Sequence, residues 1–90
     1  MVTIEYDHNF KKHFNKRILP HSNLLEKFNH RLDLFIKDQS HPMLRDHRLI
    51  GKLNQARSFS ITGDIRIIYL QIKPNHFIFL DIGTHNQVYR

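Results

Sequence analysis

The sequence contains no cysteine in its 90 residues, and its three glycines, at positions 51, 63 and 83, are isolated from one another. Without cysteine the chain can form neither a disulfide bond nor a thiolate zinc site, and cysteine cannot serve as a nucleophile. A reducing cytoplasm is therefore the simplest location for the protein. Without a glycine-rich loop, the chain also lacks the phosphate cradle of P-loop nucleotide hydrolases.

Long apolar runs are missing as well. No run approaches the roughly 20 residues that a membrane-spanning helix requires, and the start of the chain lacks the apolar core of a signal peptide. We therefore expect a soluble chain that has no membrane partner and is not exported by that route. Ninety residues provide one small domain, residues 1–90, with no room for a second.

The charge balance is basic. Fourteen Lys and Arg against eight Asp and Glu give a formal net charge of +6, and residues 41–90, with seven basic and three acidic side chains, carry +4 of it. A basic surface attracts nucleic acid, an anionic membrane or an acidic protein, and it also simply keeps a small domain soluble. Charge alone does not choose among these alternatives.

The first half of the chain has the pattern of a strand followed by two helices. Residues 2–6 alternate between apolar and polar side chains, and Asp7 can cap the next helix by accepting a backbone N–H. A helical stripe at i, i+4 and i+8 then consists of Phe10, Phe14 and Ile18. Pro20 should end this helix, and Ser22 is a candidate N-cap for a longer one. The short connection favours an antiparallel two-helix hairpin on one face of a sheet.

Residues 39–52 lack periodicity, which predicts an extended polar connection. Leu44 and Leu49 are expected to anchor it to the core. Such connections carry reactive side chains when a rigid frame positions them. This segment is therefore a candidate location for function.

Three β-branched or aromatic runs, 59–61, 65–72 and 77–82, predict an antiparallel three-strand meander. Both faces of the middle run are apolar, so it should be a central strand, and its alternation places Asp64 and Arg66 on the same face. At the end of the last run we expect Gly83 to adopt unusual dihedral angles. This would lead the chain out of the sheet and place His85 at its edge. The predicted fold class is α+β, with the N-terminal strand and the two-helix hairpin packed on an antiparallel sheet that contains this C-terminal meander.

A set of side chains suited to RNA cleavage lies in and around this meander, namely His47, Asp64, Arg66, His85 and Tyr89. Attack of a ribose 2′-hydroxyl on the neighbouring phosphorus needs a base, an acid and a cation for the developing charge. Imidazole can serve as acid or base near neutral pH, and guanidinium is a permanently charged fork for phosphate oxygens. No metal or cofactor is required for this chemistry.

Each of these residues also has a purely structural interpretation. Asp64 and Arg66 can form an ion pair at the rim, and the ring of Tyr89 can cap the core. A zinc site at His41, Asp46 and His47 is disfavoured, because the chain has no HxxxH pair on a helix and no cysteine. A serine hydrolase is disfavoured because Ser58 and Ser60 lack the glycines of a nucleophile elbow.

Four short motifs carry a family resemblance: Asp-His-Arg-Leu-Ile-Gly at 46–51, Gly-Asp-Ile-Arg-Ile-Ile-Tyr at 63–69, Gly-Thr-His at 83–85 and Val-Tyr at 88–89. With them the chain resembles the RelE/ParE superfamily of bacterial type II toxins, and most closely its YafQ-like branch. The resemblance covers nearly the whole chain. It implies a RelE-like fold and a ribosome-dependent mRNA endonuclease that a cognate antitoxin silences.

The resemblance also implies roles for individual residues. His47 matches the loop histidine of the YafQ-like pattern, His85 matches its Gly-Thr-His histidine, and Asp64 matches the aspartate before the central strand, all implied to be catalytic. Arg66 matches the strand arginine that RelE uses for the phosphate. Tyr89 matches an aromatic residue that helps to orient the RNA.

The chain departs from the YafQ-like pattern at three positions. Ser60 stands where that pattern can have a second histidine, Ile65 where it can have tryptophan, and Asp81 where it can have arginine. One acid or base, one aromatic ring and one cation are therefore replaced. Arg66 can take over the role of the cation, and His47 and His85 can divide the proton transfers.

Three functions are consistent with this sequence. In the favoured one, an RNase toxin binds RNA phosphates through Arg45, Arg48, Lys52 and Arg57. The alternatives are a ParE-like toxin that inhibits gyrase without nuclease activity, and a basic binding module whose rim residues are structural. The resemblance implies an acidic antitoxin as partner and mRNA on the ribosome as substrate. Operator DNA would be contacted only through the antitoxin.

Overall fold

The computed structural model describes residues 1–51 and 55–89. The chain begins with strand β1 (Thr3–Tyr6), helix α1 (His8–Arg17) and helix α2 (Ser22–Lys37). A 3₁₀ turn (Pro42–Leu44) and the two-residue strand β2 (His47–Arg48) follow. Three strands, β3 (Arg57–Ser60), β4 (Ile65–Lys73) and β5 (His76–Thr84), then lead into the single-turn helix α3 (His85–Val88).

All five strands form one sheet, in the order β1-β5-β4-β3-β2. The predicted meander is confirmed, since β3 pairs with β4 and β4 with β5 in antiparallel register. The sheet as a whole is mixed, because β1 lies parallel to β5, with Ile4 opposite Phe77. The predicted α+β class is therefore confirmed, but the sheet is not antiparallel throughout. Alternation in the sequence fixes which face a strand presents and carries no information on the direction of its neighbour.

The main core lies between the two long helices and one face of the sheet. The helices contribute Phe10, Ile18, Phe28 and Phe35 to it. The rings of Phe35 and Phe59 stack with their centroids 4.5 Å apart, and Phe35 also meets Tyr69 edge-on. Burial of each such side chain contributes about 1.5–3 kcal/mol to stability. The helical aromatics are core residues, as the sequence predicts.

A second, smaller cluster covers the opposite face of the sheet. It contains Leu49, Ala56, Ile68 and Val88, with Tyr89 packed against it. Both faces of β4 are therefore covered, as predicted for a central strand. This cluster also attaches the segment after β2 and helix α3 to the same face of the sheet.

The helix boundaries follow the sequence closely. Asp7 caps α1, since its Oδ2 accepts the N–H of Asn9 at 3.0 Å. The assignment of Ser22 as a cap is wrong: α2 begins at that residue, and His21 occupies the N-cap position without a side-chain capping bond. Terminal positions of helices are the least certain part of any periodicity argument. In the described part of the chain, no helix has the length and apolar character needed to cross a membrane.

The connection after α2 has more structure than the sequence indicates. Its leucines are anchored as predicted, with Leu44 fully buried and Leu49 nearly so. The 3₁₀ turn and β2 were not predicted, because a two-residue strand is too short to produce a detectable alternation. The backbone pairs His47 with Ser58 and Arg48 with Arg57, so β2 lies at the edge of the sheet beside β3.

Candidate active site

Four of the five candidate residues, His47, Arg66, His85 and Tyr89, line one groove of about 400 Å³. The remainder of its lining is residues 48–50. The groove lies on the face of the sheet that is opposite the long helices, above the smaller apolar cluster. The structure thus brings together an arginine, a tyrosine and two histidines that are as far as 42 positions apart in the sequence, a separation given by positions 47 and 89.

Arg66 occupies the middle of the groove because β4 is the central strand of the meander. In the backbone register it lies between Ser60 of β3 and Gly83 of β5. Its Nε is buried and has no hydrogen-bond partner among the described residues. A buried donor of this kind costs free energy unless a water molecule or a ligand satisfies it.

His85 and Tyr89 are one helical turn apart on α3 and its C-cap, so their rings lie next to each other. The ring centroids are 4.4 Å apart, with an interplanar angle of 56°. His85 is exposed, whereas Tyr89 is half-buried against the smaller cluster. The Tyr89 hydroxyl is buried and has no hydrogen-bond partner in the described part of the chain. Tyr89 therefore both covers the cluster and lines the groove.

Gly83 places His85, but by a different route from the one predicted. The expectation of unusual dihedral angles is wrong: Gly83 stays in β5, and the only positive φ angles in the described residues belong to Arg45 and Gly51. Glycine is needed there for space. A Cβ atom would lie 2.5 Å from a terminal nitrogen of Arg17 and 2.6 Å from Oε1 of Gln87.

Gln87 and Arg17 together fix the start of α3. Oε1 of Gln87 accepts the backbone N–H of Thr84 at 2.8 Å, which closes the first turn of the helix that carries His85. Arg17 donates to the carbonyl of Ile82 at 2.8 Å. Gly83 lies opposite Arg66 in the register of β4 and β5, so the contact of Arg17 with Gly83 is made at the end of β5 that leads to His85. No sequence pattern indicated this role for Arg17.

His47 is exposed at the other side of the groove. Its Nδ1 lies 2.9 Å from the carbonyl oxygen of Arg45. A carbonyl oxygen only accepts, so Nδ1 carries the proton and the neutral ring has Nε2 free to accept one. Arg45 itself has a left-handed backbone, with φ 50°, which is uncommon for a residue other than glycine.

Asp46, next to His47, binds two side chains of the sheet, a role that the sequence did not indicate. Its carboxylate accepts hydrogen bonds from Nε of Arg57, at 2.6 Å, and from the Tyr69 hydroxyl. Burial, followed by the bond to Asp46, raises the pKa of Tyr69. Burial alone would lower the pKa of Arg57, but the hydrogen bond and charge of Asp46 outweigh it and raise that pKa. The interpretation of Asp46 as a zinc ligand finds no geometric support.

Asp64 does not join the other four candidates in the groove. It is exposed in the turn between β3 and β4, where its backbone N–H donates to Oγ1 of Thr62 at 3.1 Å. The described residues contain no ion pair between Asp64 and Arg66 either. Asp64 lies in the turn one residue before β4 begins, whereas the β4 residue that lines the groove is Arg66.

The predicted RNA-binding cations fall into three groups. Arg45 and Arg48 are exposed, and Arg48 lines the groove. Arg57 is paired with Asp46, so its charge is already partly balanced. Lys52 lies outside the described residues.

The structure shows the contacts of two residues that depart from the YafQ-like pattern, Asp81 and Ser60. Asp81 faces α1, where Nδ1 of His13 lies 2.5 Å and a terminal nitrogen of Arg17 3.9 Å from its Oδ1. Ser60 is buried opposite Arg66 on the neighbouring strand. Asp81 thus pairs with basic side chains of α1.

No group of three or more His, Asp or Glu side chains is arranged to hold a metal ion within residues 1–51 and 55–89.

No curated protein sequence shows significant similarity to the chain. Among solved structures, a copper-bound mutant toxin from Helicobacter pylori is 29% identical, with a TM-score of 0.73, over 98% of this chain and 99% of that one. YafQ from E. coli strain BL21(DE3) is 21% identical, with a TM-score of 0.81, over the whole of both chains. A chain of the E. coli DinJ-YafQ complex is 22% identical, with a TM-score of 0.79, again over both whole chains.

The family comparison covers almost the whole sequence. The model of a family described as a bacterial toxin of type II toxin-antitoxin system, YafQ, matches residues 2–90. The likeness to E. coli YafQ supports the same α+β fold. The resemblance seen in the motifs is thereby confirmed, and the chain belongs to the YafQ family of toxins of bacterial type II toxin-antitoxin systems.

Proposed function

We propose that this toxin is an endoribonuclease that cleaves mRNA on the ribosome without a metal ion and so stops translation. The observation that supports it is the shared groove of His47, Arg66 and His85, which supplies two imidazoles and a guanidinium. Ribose-assisted cleavage of RNA requires an acid, a base and a cation. The groove contains all three on a rigid sheet.

In the proposed reaction, the 2′-oxygen of one nucleotide attacks the phosphorus that joins it to the next. The base takes the 2′-hydroxyl proton, and Arg66 stabilises the charge that develops on the phosphoryl oxygens. The bond from phosphorus to the 5′-oxygen then breaks, and the acid protonates that oxygen. The products are a 2′,3′-cyclic phosphate and a 5′-hydroxyl end.

We assign the role of base to His47, because its Nδ1 is bonded to the Arg45 carbonyl and its neutral Nε2 can accept a proton. His85 is then the acid. Tyr89, whose ring lies beside His85, orients the RNA by packing against a base. Asp64 retains a proposed catalytic role through the family resemblance alone, since it lies outside the groove.

The proposed contacts to RNA outside the reacting phosphate are electrostatic. Arg45 and Arg48 are exposed near the groove, and a net charge of +6 attracts a polyanion. Arg57 and Lys52 complete the proposed set. Arg57 should contribute less to RNA binding than the other three, because its Nε donates a hydrogen bond to Asp46.

The proposed partner is an acidic antitoxin that binds this basic chain in the cytoplasm, where mRNA and ribosomes are found. A similar protein, YafQ from E. coli, has been crystallised as a complex with DinJ. Contact with operator DNA would occur only through the antitoxin. Co-purification with the product of the neighbouring gene tests this partnership, and failure to form a complex would contradict it.

The nuclease is tested by expressing the full chain and mapping mRNA ends by primer extension. We expect new 5′ ends with wild type, and none with His47→Gln or His85→Gln. The matched control is His21→Gln, because His21 is exposed at the N-cap of α2 and makes no capping bond. Unchanged transcripts in the wild type would contradict the proposal. Inhibition of gyrase supercoiling by the purified chain would instead support the ParE-like alternative.

A further inference from the structure

The carboxylate of Asp46 is enclosed by the protein although it lies in a connecting segment. Its side chain is only 5% exposed, and both of its oxygens are engaged. Oδ1 accepts from Nε of Arg57, and Oδ2 accepts from the hydroxyl of Tyr69. Carboxylates are rarely so enclosed unless they are paired in this way, because removal of a charge from water is expensive.

Asp46 is connected through Tyr69 to the main core of the protein. Tyr69 is fully buried, and its ring packs edge-on against Phe35 and Phe59. Its hydroxyl also accepts a hydrogen bond of 2.8 Å from Nε2 of Gln39, which lies two residues after the end of α2. The network therefore joins the segment before β2 to β3, β4 and the residues just after α2.

This network determines where His47 points. Successive side chains along an extended backbone point to opposite sides. With Asp46 directed inward to Tyr69 and Arg57, His47 is directed outward along the wall of the groove. Arg45, on the other side of Asp46, has a left-handed backbone that aims its carbonyl at Nδ1 of His47.

We propose that Asp46 is a positioning residue for catalysis, which holds His47 in its Nδ1-protonated tautomer through its bonds to Tyr69 and Arg57. Asp46 contacts no substrate itself. Its inward anchor fixes the backbone at 45–47, so that the Arg45 carbonyl meets the imidazole. The inference rests on the proposed function, in which the free Nε2 of His47 accepts the 2′-hydroxyl proton.

The alternative role for the network is purely structural: Asp46 and Arg57 would then hold two short strands together without influence on the imidazole. The two roles differ in what they predict for His47. If the role is purely structural, substitution of Asp46 lowers stability. The His47 tautomer and the turnover of the protein that remains folded are then unchanged. A positioning role predicts a changed tautomer in protein that is still folded.

The tautomer is measured by long-range ¹H–¹⁵N NMR spectra of the full-length chain, with the His47 signals assigned by comparison with His47→Gln. For neutral His47 in the wild type we expect protonation at Nδ1. In Asp46→Asn we expect a shift towards the Nε2-protonated form that a freely exposed imidazole prefers. Tyr69→Phe, which keeps the bond between Asp46 and Arg57, should give a partial shift. Tyr6→Phe, a tyrosine change at β1, should give none.

The kinetic readout is cleavage of ribosome-bound mRNA. We expect Asp46→Asn to lower kcat by about 10- to 100-fold with little change in KM, because misplacement of a catalytic group by about 1 Å has effects of that order. Tyr69→Phe should lower kcat less, and Tyr6→Phe should leave it unchanged. Circular dichroism at the assay temperature establishes that each variant is folded.

An unchanged His47 tautomer in folded Asp46→Asn would overturn the proposal. If Asp46→Asn does not fold, Tyr69→Phe, which removes only one hydroxyl, provides the test. An unchanged His47 tautomer in that variant would overturn the proposal. If the wild type cleaves no RNA, the proposed nuclease function fails, but the NMR comparison still decides whether Asp46 positions His47. The two failures are therefore distinguishable.

Discussion

The guanidinium of Arg17 fills the space beside Gly83 into which any side chain at position 83 would have to project. The first atom in the way of a Cβ there is a terminal nitrogen of Arg17, at 2.5 Å. This contact joins the last turn of α1 to the end of β5, two residues before His85. The amino-terminal helix thereby takes part in placing a catalytic candidate at the other end of the chain.

The first prediction concerns Gly83→Ala. The added methyl group must displace both Arg17 and the side chain of Gln87, so we expect the free energy of unfolding to fall by about 1–3 kcal/mol. RNA cleavage should fall as well, because Gln87 closes the turn that carries His85. Urea denaturation measures the first effect and primer extension the second.

Gly63→Ala is the matched control for this substitution. A Cβ at Gly63 would meet no atom within 4 Å, and the φ angle there is not in the left-handed region. Its effect on stability should therefore stay within about 0.5 kcal/mol. Equal losses for the two alanine variants would show that the close approach of Arg17 is not what requires glycine at position 83.

A second prediction concerns Asp81, where the YafQ-like pattern can have arginine. In this chain an arginine at 81 would stand beside His13 and Arg17, without the carboxylate that now pairs with them. We expect Asp81→Arg to lower the free energy of unfolding by about 1–3 kcal/mol, since it leaves partly buried charged groups without a partner. Thermal unfolding at constant pH is the measurement.

The control for this charge reversal is Asp33→Arg on the exposed face of α2. Asp33 makes no ion pair among the described residues, so its reversal should change stability by less than about 0.5 kcal/mol. Unchanged stability of Asp81→Arg would contradict the inference that His13 and Arg17 require the carboxylate of Asp81 as a partner.

Local sequence features were sufficient to predict much of the fold and of the groove. Periods of two and of 3.6 residues located the strands and the long helices, because each depends on neighbours within a few positions. Alternation placed Arg66 and Asp64 on one face of the central strand. The structure has Arg66 in the groove with His47 and His85, whereas Asp64 lies in the turn before that strand. Each of these sequence features depends on residues that are close together in the chain, so it can be recognised from the sequence alone.

The supporting contacts could not be predicted in this way. Arg17 is 65 positions from the Ile82 carbonyl that it binds, and Asp46 is 23 positions from Tyr69. Nothing in the composition of either segment indicates its partner, because such pairs are specified by tertiary packing. Gly83 was singled out for backbone freedom, whereas its requirement is the close approach of a distant side chain.

A third prediction follows from the raised pKa of Tyr69. In the unfolded chain Tyr69 ionises near pH 10, whereas burial and the bond to Asp46 keep it neutral in the native state to higher pH. Above pH 10 the unfolded state therefore binds fewer protons, and the free energy of unfolding falls by up to about 1.4 kcal/mol per pH unit from this group. At neutral pH, Tyr69→Phe should be less stable than the wild type by about 1.5–3 kcal/mol. Between pH 10 and 12 its free energy of unfolding should fall less steeply with pH than that of the wild type.

Tyr6→Phe serves as the comparison for this pH dependence. Burial also raises the pKa of Tyr6, but this residue is 38% exposed whereas Tyr69 is fully buried. Tyr6→Phe should therefore reduce the pH dependence of the free energy of unfolding less than Tyr69→Phe does. Urea denaturation at several pH values measures both, and identical pH profiles for wild type and Tyr69→Phe would contradict the prediction.

The last prediction separates the shape of Arg66 from its charge. Arg66→Lys keeps the positive charge but loses the planar fork that can hold two phosphoryl oxygens at once. We expect the single-turnover rate of cleavage to fall at least about 10-fold, with stability preserved, because the Arg66 Nε has no partner among the described residues.

Arg48→Lys is the matched control, since Arg48 is exposed on the wall of the same groove and is expected to bind RNA only by its charge. It should cleave at the wild-type rate once RNA is saturating. If the two lysine variants behaved alike, the groove would need only positive charge at position 66. A loss confined to Arg66→Lys would mean that the phosphoryl group is held by the guanidinium fork on the central strand.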